Sequence, residues 1–112
     1  MNPSDIYSTT LSALTDVRSA MLSPEWQAAL DAATADQRLA ASHELIQVQQ
    51  AILALSNASL SDIAAAMQAN EQGLTQATSA LTKALGDITK VQNIIQGVTS
   101  VVSVVAKILP LL

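Results

Sequence analysis

The sequence contains no cysteine and no phenylalanine, and it has one tryptophan, one tyrosine and one histidine. The absence of cysteine excludes disulfide bonds and thiolate metal ligands. The residues three and four positions away from His43 are Leu39, Ala40, Ile46 and Gln47, none of which helps it to bind a metal ion. We therefore expect His43 to be a solvated residue on a helix surface, and we expect no metal ion and no cofactor.

Charged residues are also scarce, at 12% of the chain, and the net charge is −4. The five basic residues are spread singly along the chain: Arg18, Arg38, Lys83, Lys90 and Lys107. Binding to nucleic acid requires clustered lysine and arginine side chains that neutralise several phosphates. The sequence therefore predicts no nucleic-acid partner.

Motifs that carry catalysis are missing as well. No serine lies in a G-x-S-x-G turn, and none of the three glycines has the G-x-G-x-x-G spacing that holds a phosphate group. Acid pairs such as Asp31 and Asp36 have the character of solvated charges rather than of a general acid–base pair. We expect no catalytic residue and no enzymatic activity.

The first residues contain no positively charged segment followed by an unbroken apolar run. A cleavable signal peptide requires both features. We therefore expect no such signal, and a cytoplasmic location by default.

What the chain does contain favours helices. Alanine and leucine, the strongest helix formers of the ranking, are abundant, and no hairpin-turn motif separates alternating strands. Ser23-Pro24 is typical of a helix start, and Pro110 of a helix end. The sequence predicts one all-α domain over residues 1–112, built from three helices at 5–22, 24–56 and 60–109 and a turn at 57–59. We expect a long helical hairpin with a kink near Ser23-Pro24, packed as a coiled coil or helical bundle between subunits.

Two positions leave the continuity of these helices open. Thr34 and Gln37 match a capping box, which would start a new helix near Ala35. Gly86 and Asp87 could likewise end one helix and begin another. Because good helix formers surround Thr34 and the apolar repeat continues past Gly86, we expect both helices to be continuous.

The second half of the chain carries a clear heptad pattern. From Ile63, steps of four and three residues reach fifteen positions, and fourteen of them are apolar. Asn70 is the exception, and it is either a tolerated polar group near the surface or a residue that selects register and oligomeric state. A continuous helix over 60–109 would be about 75 Å long, which implies a long and thin molecule.

Upstream the periodicity is weaker. In the helix predicted over 24–56, Leu45, Val48, Ile52 and Leu55 form an apolar stripe, and a set seven residues apart widens that stripe. The members of this set are Leu39, Ile46 and Leu53.

The apolar face near the C-terminus is wider than one partner helix covers. We expect the first helix to cover it only partly, and a second subunit to cover the rest, with a dimer favoured over other assemblies. A different helical protein could take the same place. The predicted interface consists of Ile88, Val91, Ile94, Ile95, Val98, Val101, Val102, Val105, Ile108 and Leu109.

The sequence therefore predicts a non-catalytic helical protein that self-associates through a C-terminal apolar heptad seam. The alternative is association with, or insertion into, a membrane through residues 94–112, which carry one charge, Lys107. No basic cluster and no tryptophan or tyrosine flanks this segment, which weighs against a membrane span.

Overall fold

A computed structural model of the chain describes residues 2–109, and in this range the backbone forms helices and turns without a strand. The all-α prediction is confirmed. The helices described are α1 (Pro3–Met21), α2 (Pro24–Asp31), α3 (Ala35–Asn57), α4 (Leu60–Ala69), α5 (Glu71–Ala84) and α6 (Val91–Ile108). The predicted end of the last helix at Pro110 lies outside the described residues.

The break between α1 and α2 lies where the sequence places it. Pro24 is the first residue of α2, and the Ser23 hydroxyl oxygen accepts a hydrogen bond from the Trp26 backbone N–H at 3.2 Å. Proline suits this position because the first N–H groups of a helix have no partner within it. The predicted kink near Ser23-Pro24 is confirmed.

The prediction of one helix over residues 24–56 is wrong, because the chain breaks at residues 32–34. Thr34 starts α3 with a complete capping box. Its side chain accepts from the Gln37 N–H at 3.1 Å, and the Gln37 side chain accepts from the Thr34 N–H at 3.2 Å. These two bonds satisfy N–H donors that a helix start otherwise leaves free. Their free energy offsets that of the helical hydrogen bonds lost at the break.

The prediction of one helix over residues 60–109 is also wrong. Asn70 separates α4 from α5, and its side-chain amide donates to the Ala66 carbonyl oxygen at 2.8 Å. A second break spans residues 85–90, where Asp87 accepts hydrogen bonds from the backbone N–H and the hydroxyl of Thr89. Side chains that bond to nearby backbone in this way compete with helix propagation.

With these breaks, the helices pack in a compact bundle instead of a long hairpin, and its longest dimension is 43 Å. The Tyr7 hydroxyl donates to the Leu55 carbonyl oxygen at 2.7 Å, which ties the start of α1 to the end of α3. α1 also packs on α4 and α5, and α6 packs on α3 and α5. In the described part of the chain, no Cα atom of α3 lies within 8 Å of one of α5, so these two helices lie diagonally across the bundle.

Candidate interaction surface

The described residues contain no group of three or more histidine, cysteine, aspartate or glutamate side chains that could hold a metal ion. His43 is exposed on α3. A groove of about 800 Å³, open to solvent, runs between α2 and the start of α6. Small alanines form much of its lining, together with polar residues that include Glu25, Thr89 and Lys90.

The predicted C-terminal interface lies mostly inside the bundle. Its buried members, each at most 8% exposed, are Val91, Ile94, Ile95, Val98, Val101, Val102 and Val105. The helices α3 and α5 of the same chain cover them, and Ile88, Ile108 and Leu109 are half-buried at the edges. The expectation that packing within the chain leaves this face partly uncovered is therefore wrong for residues 91–105.

Asn70, the predicted register residue, is half-buried at the junction of α4 and α5. Its side chain bonds to its own helix at Ala66. The structure thus gives Asn70 a local role at a helix end, and its role in register or oligomeric state stays a prediction. Leu112, the last position of the heptad series, lies outside the described residues.

α6 is the helix, among those described, that is long and apolar enough to cross a membrane, with a mean hydropathy of 1.3 over Val91–Ile108. Of this window, 44% is buried inside the bundle. Burial against α3 and α5 is a sufficient reason for an apolar composition. The last three residues of the predicted membrane segment 94–112 lie outside the described range.

Large apolar side chains that point into solvent form a different pattern. Three of them lie on α3 at a spacing of seven residues: Leu39, 74% exposed, Ile46, 52% exposed, and Leu53, 62% exposed. We call these three residues the outer stripe. Scattered exposed leucines are ordinary, but an aligned row along one helix is typical of a surface that another helix covers.

The outer stripe lies opposite the face by which α3 joins the bundle. That inner face consists of Ala41, Val48 and Leu55, which are 1%, 0% and 0% exposed and also seven residues apart. The two sets differ by two positions, or about 200° of rotation around the helix. α3 thus carries two heptad rows, one buried in the bundle and one facing solvent.

Charged residues of α3 lie in its first half, near Leu39, and the second half of the outer stripe is uncharged. From Leu45 to Ser61 the sequence contains no aspartate, glutamate, lysine, arginine or histidine. On the outside of α3, Gln49 is exposed and Gln50 is half-buried beside the stripe. The cores of protein interfaces are depleted of charge in the same way.

A groove of about 420 Å³ borders the stripe where α1, α2 and α3 meet. Leu22, Leu30 and Leu45 are among its lining residues, and Trp26 contributes to its wall. Leu22 is 64% exposed, whereas Trp26 is 2% exposed and belongs to the core. Ser42 lies on this rim, one turn along α3 from Leu39, so the exposed Ser42 separates the groove from the stripe.

Sequence reasoning placed Leu39, Ile46 and Leu53 on a widened apolar stripe, and the structure shows these three side chains exposed to solvent. The sequence could have indicated that one row is exposed, because two heptad rows half a turn apart on one helix are more than one face of a bundle can bury. A comparison of the chain with models of protein families, with curated proteins and with solved structures finds no match.

Proposed function

We propose that this chain is a non-catalytic helical interaction protein that self-associates, and that the outer stripe of α3 is the surface through which two copies meet. The observation that carries the proposal is the row of three aliphatic side chains, each more than half exposed and seven residues apart. Such a row supplies one of the two apolar positions per heptad that a second helix covers in a coiled coil. The sequence around Leu53 is uncharged, which favours the same conclusion, since no charge has to be desolvated in that half of the stripe.

The size of this surface suits a reversible dimer. Leu39 and Leu53 are fourteen residues apart, so the stripe is about 21 Å long. A helix pair of that length, with the adjoining groove, buries on the order of 1,000 Å² in total, which is at the low end of specific interfaces. Interfaces of this size are typical of weak, transient association, so we expect dissociation in the micromolar range.

This proposal moves the interface from α6 to α3. Most of the C-terminal heptad seam fills the core of a single chain, so association through it would require the bundle to open. The outer stripe is accessible without any change in the fold.

Sedimentation equilibrium over a range of concentrations tests the proposal. We expect the wild-type protein to shift from an 11.6 kDa monomer towards twice that mass as the concentration rises through the micromolar range. Ile46→Glu should remain monomeric, because a carboxylate at the centre of the seam has no partner when it is buried. Ala80→Glu, at an exposed position of α5, adds the same charge and should dimerise like the wild type.

Circular dichroism at the same concentrations shows whether both variants keep the helical content of the wild type. A wild-type protein that stays monomeric at high micromolar concentration without detergent would contradict the proposal.

Membrane association is the second candidate, because α6 has the length and hydropathy of a membrane-spanning helix. Flotation with lipid vesicles tests it, compared in zwitterionic and anionic lipids. Insertion requires α6 to leave the bundle, so binding should be accompanied by exposure of Trp26 and a change in its fluorescence. Recovery of all the protein in the soluble fraction with both lipids would contradict this alternative.

A further inference from the structure

We propose that self-association through the outer stripe depends on pH, and that His43 causes this dependence: the dimer forms while His43 is neutral and dissociates when His43 gains a proton. This inference rests on the proposed self-association and adds a form of regulation to the same surface. The same dependence is expected whether the two copies of α3 run parallel or antiparallel.

His43 lies at the edge of the outer stripe. It follows Leu39 by four residues and precedes Ile46 by three, and residues at these spacings are neighbours on one face of a helix. The side chain of His43 is exposed in the single chain, as are the two stripe residues beside it. A helix that covers both Leu39 and Ile46 therefore also covers His43, and the imidazole loses water when the stripe is buried.

The corresponding positions further along α3 are polar as well. Gln50 lies between Ile46 and Leu53 at the same spacings, and Asn57 follows Leu53 by four residues. Polar and aliphatic residues thus alternate along this face in steps of four and three. A polar residue in such a row lowers the stability of a coiled coil. His43 is the member of the polar row whose charge changes with pH.

The chain offers few other groups that titrate near neutral pH. It contains one histidine and no cysteine. Histidine changes its charge between about pH 5 and pH 8, whereas aspartate and glutamate ordinarily do so below about pH 5. The α-amino group of the chain also titrates near neutral pH, and it is common to all the variants below.

The helices around the first half of α3 supply no acid that is bonded to His43. The charged residues on those helices or next to them are Asp16, Arg18, Glu25, Asp31 and Lys90. Glu25 and Lys90 line the groove between α2 and α6, Asp16 lines a groove between α1 and α5, and Asp31 accepts a hydrogen bond from Gln27. Within the described residues, the side chain of His43 forms no ion pair and no hydrogen bond.

The acids of α3 itself lie away from His43 on the stripe. Glu44 is half-buried and lies two positions before Ile46, so it projects about 200° around the helix from the stripe. Asp36 is seven residues before His43, which is about 10 Å along the helix. A protonated His43 that a second helix covers would therefore be a desolvated charge without a partner, and such a charge is costly to bury.

Neither orientation of the pair brings an acid opposite His43. Parallel pairing in register brings His43 near its own copy, and protonation then adds repulsion between like charges. Antiparallel pairing centred on Ile46 brings His43 near Gln49 of the second copy, which is uncharged. In both cases the separated chains bind the proton more readily than the dimer does. Acid therefore favours dissociation, and the dimer forms as the pH rises.

Sedimentation equilibrium of the whole chain at pH 8, 7, 6 and 5.5 tests the inference. We expect the dissociation constant of the wild-type dimer to rise at least about tenfold from pH 8 to pH 5.5. His43→Gln keeps a polar side chain of similar size but cannot gain the proton, so its dissociation constant should be nearly the same at every pH. Circular dichroism at each pH shows whether the helical content is unchanged.

Two double variants show whether the position of the imidazole matters. His43→Gln with Gln50→His moves the imidazole one heptad along the same row, between Ile46 and Leu53, and should restore the pH dependence. His43→Gln with Ala80→His places the imidazole at an exposed position of α5 instead and should not restore it.

The outcomes separate this inference from the proposed function. A wild-type dimer that is equally tight or tighter at pH 5.5 than at pH 8 would overturn the role of His43 and leave self-association standing. A pH dependence that persists in His43→Gln would do the same. Wild-type and His43→Gln proteins that both stay monomeric at every pH up to high micromolar concentration would overturn both.

Discussion

At the scale of single residues, the packing of α6 depends on the absence of a side chain at Gly97. A Cβ atom built there would lie 3.1 Å from Leu81 Cδ1 and 3.3 Å from Leu81 Cα, and Leu81 is 0% exposed. The same construction at Gly73 meets only the Val104 methyl groups, at 3.7 Å. Both glycines lie inside or at the edge of the α5–α6 contact, but only Gly97 is required for the helices to approach as they do.

We therefore expect the two glycines to respond in opposite ways to substitution by alanine. Gly73→Ala should stabilise the protein by about 0.5–1 kcal/mol, since alanine loses less backbone entropy in a helix. Gly97→Ala should lower the free energy of unfolding by about 1 kcal/mol, because the added methyl group displaces the buried Leu81 and this cost exceeds the gain in backbone entropy. Urea unfolding followed by circular dichroism measures both, and stabilisation by Gly97→Ala would contradict the close approach.

Asp87, in the turn before α6, offers a test by pH. The hydroxyl of Thr89, followed by its backbone N–H, donates to the Asp87 carboxylate and lowers its pKa, and Lys90 acts in the same direction. The pKa of Asp87 is lower in the folded than in the unfolded protein, so the ionised carboxylate stabilises the fold. This stabilisation is fully present above a pH equal to the ordinary pKa of about 3.9, and it is lost as the pH falls through the folded pKa.

In Thr89→Val, which removes the hydroxyl donor, the pKa of Asp87 should rise towards its ordinary value in an NMR titration. The difference in melting temperature from the wild type should be largest near neutral pH and should narrow in acid. An unchanged Asp87 pKa in this variant would contradict the hydrogen bond from the hydroxyl.

At the scale of the helices, end groups decide where each one begins. The side chain of Thr34 accepts a bond from the backbone and starts α3. The Ser59 side chain before α4 accepts no backbone N–H of the helix, and its hydroxyl pairs with the Ser61 hydroxyl at 2.8 Å. Both are hydroxyl residues in the same position relative to their helix. The difference lies in whether the hydroxyl oxygen reaches a free N–H group.

Thr34→Ala should therefore destabilise the protein by about 1 kcal/mol, with Ser59→Ala as the matched control that changes little. Thermal or urea unfolding of the two variants beside the wild type gives the comparison. If both substitutions had equal effects, the capping box would not explain the break before α3.

At the scale of the whole molecule, the apolar surface is divided between an interior that α6 fills and an exterior row on α3. Val102 is 8% exposed within the core, and Ile46 is 52% exposed outside it. These two residues represent the two places where association could occur. An acidic side chain at each position therefore distinguishes folding from assembly.

Val102→Asp should destabilise the monomer by several kcal/mol, because its carboxylate would lie in the core without a partner. Ile46→Glu should leave the unfolding free energy per monomer nearly unchanged while it prevents dimerisation. Denaturant unfolding at low protein concentration, where the monomer dominates, separates the two effects. A Val102→Asp protein that is as stable as the wild type but fails to associate would contradict the α3 interface and support the predicted C-terminal interface instead.

The sequence by itself determined the helical class, the start of α2 at Ser23-Pro24, and the apolar face of α6. These features depend on local propensity, on the fixed geometry of proline and on a repeat that matches the helical period.

Tertiary structure decided where the longer helices break. A break at Thr34 or Asn70 depends on a balance of about 1 kcal/mol between capping bonds and helix propagation. It also decided that α3 and α5 of the same chain cover Val98 and Val102, while Leu39, Ile46 and Leu53 remain outside. Hydrophobic burial has no direction, so a periodic pattern identifies an apolar face but not the surface that covers it.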